Sequence, residues 1–490
     1  MRWGIFVLGA CVGCGGSAAG EFVGAADTGD ETVSIDTSPP AEDTGSAPVE
    51  DATPETAPPP WTPDLVDLAM PCTDTAEQVY LAPVGPTSDA ARGDVVRCTV
   101  DGTWTVADVQ AKIGGKDDTS KASALKIVRI AYRTRRGDGR PAIGTARVYL
   151  PSTPRPGPLP VVVSAHPSEG LADGCAPSRD EGKMNEVATP LGARGYAVIA
   201  PDFAGLGNEG TQGYLDNHDT GYSTLDAARA LRKLLKPGAF SAKVAMNGYS
   251  QGGGAVLSAQ ALARTYGVDG ELVAVAAFAP QWPTRLNSFG FVDLLKQPDA
   301  LTISFGITKP VVAVLRTYAY FANATGDHGA GIPAATRSSI SNSIDNLCLV
   351  AFGGALQGSA LRVRDFFDDG LRTGLLACVA DPKAPACAGA AKAYHAFLAQ
   401  NHLKADPKGA RVLYVQGGAD TIMPPAQEAA CNVAKLRADG VVPQICVDGV
   451  ALHSNIVDRN IAFGMDWISA AVAGTALPTC AATELPACTP

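Results

Sequence analysis

The stretch AKVAMNGYSQGGGAVLSAQALART (242–265) limits the fold more than any other part of the chain. An apolar run of strand length ends in Gly-Tyr-Ser-Gln-Gly, and a helical pattern of small and apolar residues follows at once. A chain that passes from strand to helix in one residue must turn so tightly that bulky flanking side chains would clash. Glycines at 248 and 252, two positions either side of Ser250, remove that clash. The pattern therefore predicts a buried strand that delivers its chain directly into a helix. Glycine is common here, with 53 in 490 residues, so the pentapeptide carries weight only through these flanks.

The neighbouring segments extend the pattern. Two strand-like runs joined by a turn, KIVRIAYRTR (126–135) and AIGTARVYLP (142–151), precede LPVVVSAHP (159–167). The last is a continuous apolar run, as expected of a parallel strand covered on both faces. A helical stretch at 184–194, the strand YAVIAPD (196–202), a capped amphipathic helix (223–238) and the strand ELVAVAAFAP (271–280) complete a first block. Strand and helix alternate at the spacing of a mostly parallel, doubly wound α/β sheet. From 284 to 410 the alternation gives way to helical patterns, and it resumes with ARVLYVQGG (410–418), PQICVDGV (443–450) and a final helix at 455–473. The expected organisation is core at 126–283, a helical insertion at 284–410, core again at 411–475 and a tail at 476–490. Residues 64–125 form an accessory region whose structure the pattern does not reveal.

The formal net charge of −10 belongs to one segment: residues 21–60 hold ten acidic residues and no Lys or Arg, and the remaining 39 acids balance 39 bases. A Pro/Thr-rich acidic stretch with few aromatics cannot bury enough surface to fold, so 12–63 is expected to be an extended linker. No basic stripe points to nucleic acid, and no run of 18 apolar residues points to a spanning helix. Residues 1–11, MRWGIFVLGAC, read as an export signal ending in small residues before Cys11, the pattern of a lipidated cysteine and hence of a lipid-anchored envelope protein; the alternative is a plain signal peptide cut nearby and a secreted protein.

Setting aside Cys11 and Cys14, ten of the twelve cysteines remain, an even number that suits disulfides in an exported chain. Sequence does not fix connectivity. Economical local pairs are 72–98, 378–387, 431–446 and 480–488, which leaves Cys175 with Cys348. None of the ten forms a C-x-x-C pair, so no metal site is expected, and no cofactor.

Ser250 at such a strand-to-helix turn has the context of a nucleophile elbow, with its hydroxyl lifted out of the sheet and helix N–H groups aimed at a developing oxyanion. A serine hydroxyl needs a base, and in this architecture the order is serine, acid, histidine. Of six histidines (166, 218, 328, 395, 402 and 453), only His453 follows a plausible acid on the resumed sheet. That acid is Asp420, in a loop at a strand's C-terminal end; its carboxylate would orient His453. The backbone amide of Gln251 is one expected oxyanion donor. The second should come from the loop after VVVSAHP, where Pro167 has no N–H, which makes Ser168 the candidate. His166 reads as a structural brace of that loop.

These features together resemble the secretory lipase family, the lipase-A-like branch of the α/β-hydrolases: HPSEGLADGCAPS (166–178), APDFAGLGNEG (200–210), GYSQGG (248–253), GADTIMPP (418–425) and a last histidine before a helix, over roughly 126–473. The resemblance implies an α/β-hydrolase fold with a large helical cap inserted after the sixth strand, an ester hydrolase activity, and a link from Cys175 to the cap that favours Cys348. The chain departs from the family pattern at His166-Pro167 and in its long acidic linker.

The resulting expectation is an exported, lipid-anchored serine hydrolase that cleaves lipid-like carboxylic esters through an acyl-enzyme. Its rivals are a serine peptidase on the same fold, against which a helical cap speaks mildly, and a surface binding protein with a vestigial Ser250, Asp420 and His453. Halide and epoxide chemistry would need a carboxylate where Ser250 stands.

Overall fold

The computed structural model describes residues 67–117, 122–180, 187–300, 309–357, 361–481 and 484–489. The export signal, Cys11 and the acidic linker lie outside the described residues.

Nine strands form one sheet: β1 (Val95–Trp104), β2 (Leu125–Arg135), β3 (Pro141–Pro151), β4 (Leu159–Ala165), β5 (Val198–Pro201), β6 (Phe240–Tyr249), β7 (Glu271–Phe278), β8 (Arg411–Gly417) and β9 (Gln444–Asp448). Their spatial order is β1-β2-β3-β5-β4-β6-β7-β8-β9. Strands β1 to β3 form an antiparallel meander, β3 meets β5 antiparallel, and every pairing from β5 to β9 is parallel. All seven residues of β4 are buried, which is why its sequence is apolar without alternation. The accessory region read as blank thus supplies β1, an edge strand that Cys72–Cys98 ties to the segment before it.

Helices of nine residues or more are numbered α1 (Asn217–Leu234), α2 (Gln251–Tyr266), α3 (Lys309–Thr325), α4 (Ala334–Asn346), α5 (Leu349–Gln357), α6 (Asp369–Ala380), α7 (Gly389–Gln400), α8 (Ala430–Ala438) and α9 (Ile456–Ala473). Leu231 of α1, Val256 of α2 and Val433 of α8 pack in one apolar cluster on one side of the sheet. Trp467 and Met465 of α9 pack with Val109 and Leu191 of two shorter helices on the other. Of the helical stretch expected at 184–194, the described helix is Thr189–Ala193. Helices α3 to α7 lie between β7 and β8 and bury a cluster of their own, in which Leu171, Tyr214 and Met423 from sheet loops take part. The insertion therefore follows the seventh strand of the sheet, because β1 adds one to the six read from sequence.

Five disulfides are present. Cys72–Cys98, Cys378–Cys387 and Cys175–Cys348 match the economical pairing. The last four cysteines do not: Cys431 pairs with Cys488 and Cys446 with Cys480. The reason is the sheet itself. Cys446 on β9 packs in the α9-side cluster, whereas Cys431 begins α8, whose Val433 and Leu436 belong to the opposite cluster. Two cysteines on opposite faces cannot be bridged despite their proximity in sequence. The tail instead passes around the outer strand, with Leu477 and Cys480 on one face and Leu485 on the other, and the Gln444 amide donates to the Pro478 carbonyl at 2.8 Å. An open sheet edge is thereby covered. Non-reducing peptide mapping should recover Cys431–Cys488 and Cys446–Cys480. Replacing Cys446 and Cys480 together by Ser should lower the urea-unfolding free energy by about 2–4 kcal/mol.

Candidate active site

Ser250 sits between β6 and α2 with φ 54° and ψ −116°, a backbone conformation that non-glycine residues adopt at a cost. The packing around it explains both flanking glycines. A Cβ at Gly248 would lie 2.2 Å from the Gly252 carbonyl oxygen, and one at Gly252 would lie 2.1 Å from that of Ala165 at the end of β4. The strained turn is held by main-chain bonds: Ser250 N–H donates to Phe278 O at 2.9 Å, and Ser250 O accepts from Gly254 N at 3.0 Å and Gln281 N at 2.8 Å.

The three residues singled out from sequence come together. Ser250 Oγ is 3.0 Å from His453 Nε2, and His453 Nδ1 is 2.8 Å from Asp420 Oδ2. Asp420 can only accept when ionised, so Nδ1 carries the proton and Nε2 is left to accept from the serine hydroxyl. The other carboxylate oxygen, Oδ1, accepts from the amides of Ile422 at 2.9 Å and Met423 at 2.7 Å, and Gln416 Nε2 lies 3.3 Å from Oδ2. These donors keep a buried carboxylate in one orientation. The Tyr249 hydroxyl donates to the His453 carbonyl at 2.7 Å, which fixes the histidine's loop to the strand that carries the serine. All three side chains are nearly removed from solvent, at 5%, 4% and 3% exposure for Ser250, His453 and Asp420. Buried in this way, their hydrogen bonds are not diluted by water.

Gln251 opens α2, and its amide has no acceptor among the described residues; nor has the amide of Ser168 in the loop after β4. The Ser168 hydroxyl instead meets two residues that sequence reasoning missed, Tyr214 (OH to Oγ 2.8 Å) and Gln281 (Oγ to Oε1 3.1 Å). No local pattern marks either one. His166 is fully buried, its Nδ1 lies against the Pro167 carbonyl oxygen of that loop and its Nε2 3.2 Å from the Asp202 carbonyl oxygen, and its ring lies 4.5 Å from that of Phe203. Of the other histidines, none bonds to Ser250 or Asp420. Among the described residues no group of three or more His, Cys, Asp or Glu could hold a metal ion.

The secretory lipase family model matches residues 183–283, the segment that contains Ser250. No curated protein sequence matches the chain. The rice cell wall degrading esterase LipA from Xanthomonas oryzae superposes with TM-score 0.57 at 21% identity, over 78% of this chain and 97% of that one. Candida antarctica lipase A in its closed state gives 0.59 at 19%, over 86% and 91%. A putative hydrolase from Legionella pneumophila gives 0.58 at 18%, over 78% and 100%. The chain has the α/β-hydrolase fold. The resemblance to the secretory lipases expected from sequence holds over the matched segment.

Within this hydrolase fold the remaining motif residues acquire a physical role. Asp202, at the end of β5 and fully buried, accepts from Thr145 Oγ1 at 2.7 Å, from the Ser178 amide at 2.8 Å and from the Ser178 hydroxyl. It thus fastens the Cys-Ala-Pro-Ser end of the loop that begins at Ser168. Burial pushes its carboxyl up to about 6 against the opposing effect of those donors. The folded state therefore holds this proton more tightly than the unfolded chain, and its contribution to stability is lost as pH rises through the interval up to about 6. Asp202→Asn cannot titrate. The gap in melting midpoint between wild type and this variant should narrow as pH is raised from about 4 to about 7, measured by thermal unfolding in matched ionic strength.

Proposed function

We propose that the chain is an exported serine hydrolase of carboxylic esters and that Ser250, His453 and Asp420 are its catalytic triad. The observation that carries this reading is the continuous hydrogen-bonded run from Asp420 through His453 to the hydroxyl of a strained serine at a strand-to-helix turn. In the first half-reaction Ser250 Oγ attacks the ester carbonyl carbon while His453 Nε2 takes its proton. The carboxylate of Asp420 stabilises the imidazolium so formed without itself becoming protonated. The amides of Gln251 and Ser168 would donate to the tetrahedral oxyanion, the first with the added field of α2's N-terminus. His453 then returns the proton to the leaving alkoxide, and water repeats the sequence on the acyl-enzyme.

Leu171, Leu349 and Phe352 pack in one buried apolar cluster of the insertion and its neighbouring loops, and an insertion of this composition would supply the lining for an acyl chain. Of the structural neighbours, one is titled a lipase and another an esterase that degrades rice cell walls. Both names support an ester as the substrate class. Five disulfides suit an oxidising compartment, and lipidation at Cys11, outside the described residues, would hold the enzyme at the cell envelope on its acidic linker.

The test is a series of chromogenic esters from acetate to palmitate. Wild type should hydrolyse part of the series, with the optimum reporting pocket length. Ser250→Ala should lose roughly 10⁵-fold or more in kcat, and Asp420→Asn roughly 10⁴-fold. Equal rates for wild type and Ser250→Ala would return Ser250 to the role of a small residue in a tight turn, and the binding-protein reading would take over.

A further inference from the structure

The loop that carries Ser168 is clamped from several directions, and one clamp runs through a residue with no role in the mechanism above. Tyr214 is buried, and its hydroxyl lies 2.8 Å from Ser168 Oγ. Gln281 Oε1, which can only accept, closes a triangle 3.1 Å from Ser168 Oγ and 3.4 Å from the Tyr214 hydroxyl. Either hydroxyl can therefore donate to the other while the remaining proton goes to Gln281. Burial pushes the Tyr214 phenol up to about 12, so it stays protonated at any working pH.

Both ends of this relay are anchored. Gln281 donates its main-chain N–H to the Ser250 carbonyl at 2.8 Å, so one residue touches the nucleophile's turn with its backbone and the Ser168 loop with its side chain. Tyr214 precedes Leu215, which has φ +57°. A leucine in the left-handed region is strained and persists only where its surroundings over-determine it. Here Asn401, just past α7, does so. Its Nδ2 donates to Leu215 O at 2.6 Å, its Oδ1 accepts from the Asn217 amide, and its carbonyl accepts from Asn217 Nδ2 at 2.6 Å. On the loop's far side, the Leu349 amide of α5 donates to Glu169 O at 2.8 Å, next to the Cys175–Cys348 bridge.

We propose that Tyr214 is a positioning residue for the oxyanion hole: through the bond between its hydroxyl and Ser168 Oγ it holds the Ser168 amide where the developing oxyanion needs it, and Asn401 makes the helical insertion part of that hold. The inference rests on the ester-hydrolase reading. It gives the insertion a second task besides lining a pocket, since the segment that closes it also sets one donor of the reaction centre.

A double-mutant cycle with Tyr214→Phe and Ser168→Ala tests this on a dissolved short-chain ester. Phenylalanine keeps the ring and its packing, and alanine at 168 keeps the amide. Each single variant should lower kcat about tenfold or more, with KM within about twofold, and the double variant should be no slower than the slower single. A phenylboronic acid, whose adduct on the serine carries a tetrahedral anion, should bind Tyr214→Phe more weakly by the same factor as kcat/KM falls. Wild-type kcat in Tyr214→Phe, losses that multiply in the double variant, or unchanged boronate affinity would each overturn the proposal. An inactive wild type, indistinguishable from Ser250→Ala, would instead remove the reading on which it rests.

Discussion

Helix α2 can start one residue after β6 ends only because two side chains are missing. With any Cβ at 248 or 252, the first turn of the helix would collide with its own carbonyl or with the end of β4, at separations near 2 Å. That close approach has three consequences. It forces Ser250 into a conformation no serine would choose alone, it brings the Gln251 amide to the head of the helix, and it presses the helix against the β4 exit from which the Ser168 loop departs. The geometry of the proposed site follows from backbone packing first, and side-chain chemistry is laid upon it.

The strain at this turn has to be compensated by its surroundings, and the structure shows where. Ser250 is bonded through both its amide and its carbonyl to residues at the end of β7. A second strained residue, Leu215, is held by a side chain that also belongs to no regular element. Both strained positions thus connect to the Ser168 side chain, one through Gln281 and one through Tyr214. Asp202 adds a third constraint of a different kind: a carboxyl at the end of β5 whose proton burial holds more tightly than water would, kept because its oxygens gather the Ser178 hydroxyl and amide. Each of these features weakens the fold taken singly and narrows the range of geometries available to the site.

How much of this could be read in the sequence depended on whether the physics was local. The β4, β6 and β7 runs are apolar because both faces are covered, and the order of Ser250, Asp420 and His453 along the chain follows strands that alternate with helices, so the meeting of these three residues was legible. Strand β1 was not. VVRCTVDGTW pairs with one neighbour only, leaves Val100 exposed and carries Asp101 and Gly102, so neither alternation nor a continuous apolar run marks it. The pairing of Cys431 and Cys446 with the tail was hidden because proximity in sequence says nothing about which face of a sheet a residue occupies. Tyr214 and Gln281 reach Ser168 across 46 and 113 residues, and neither stands in a motif. A contact between loops, each positioned by a different strand, leaves no periodic trace.

Those distances in sequence become short for one topological reason. In the parallel part of the sheet every strand ends at the same edge, so Ser168 after β4, Asp202 after β5, Ser250 after β6, Gln281 after β7, Asp420 after β8 and His453 after β9 are neighbours by construction. Ser250 and His453 are 203 residues apart and hydrogen-bonded. The same rule fixes where the helical insertion must lie. It leaves the chain after β7, at the site's edge of the sheet, and that is where its first anchor, Pro283 O to Asn217 Nδ2 at 3.0 Å, is found. An insertion departing from the opposite edge could be equally large and would touch none of the reacting groups. Departing from this one, it meets the Ser168 loop at Glu169 and Cys175 and the Tyr214 segment at Leu215. The insertion's influence on the reaction centre is therefore a consequence of strand direction, before any of its own side chains are considered.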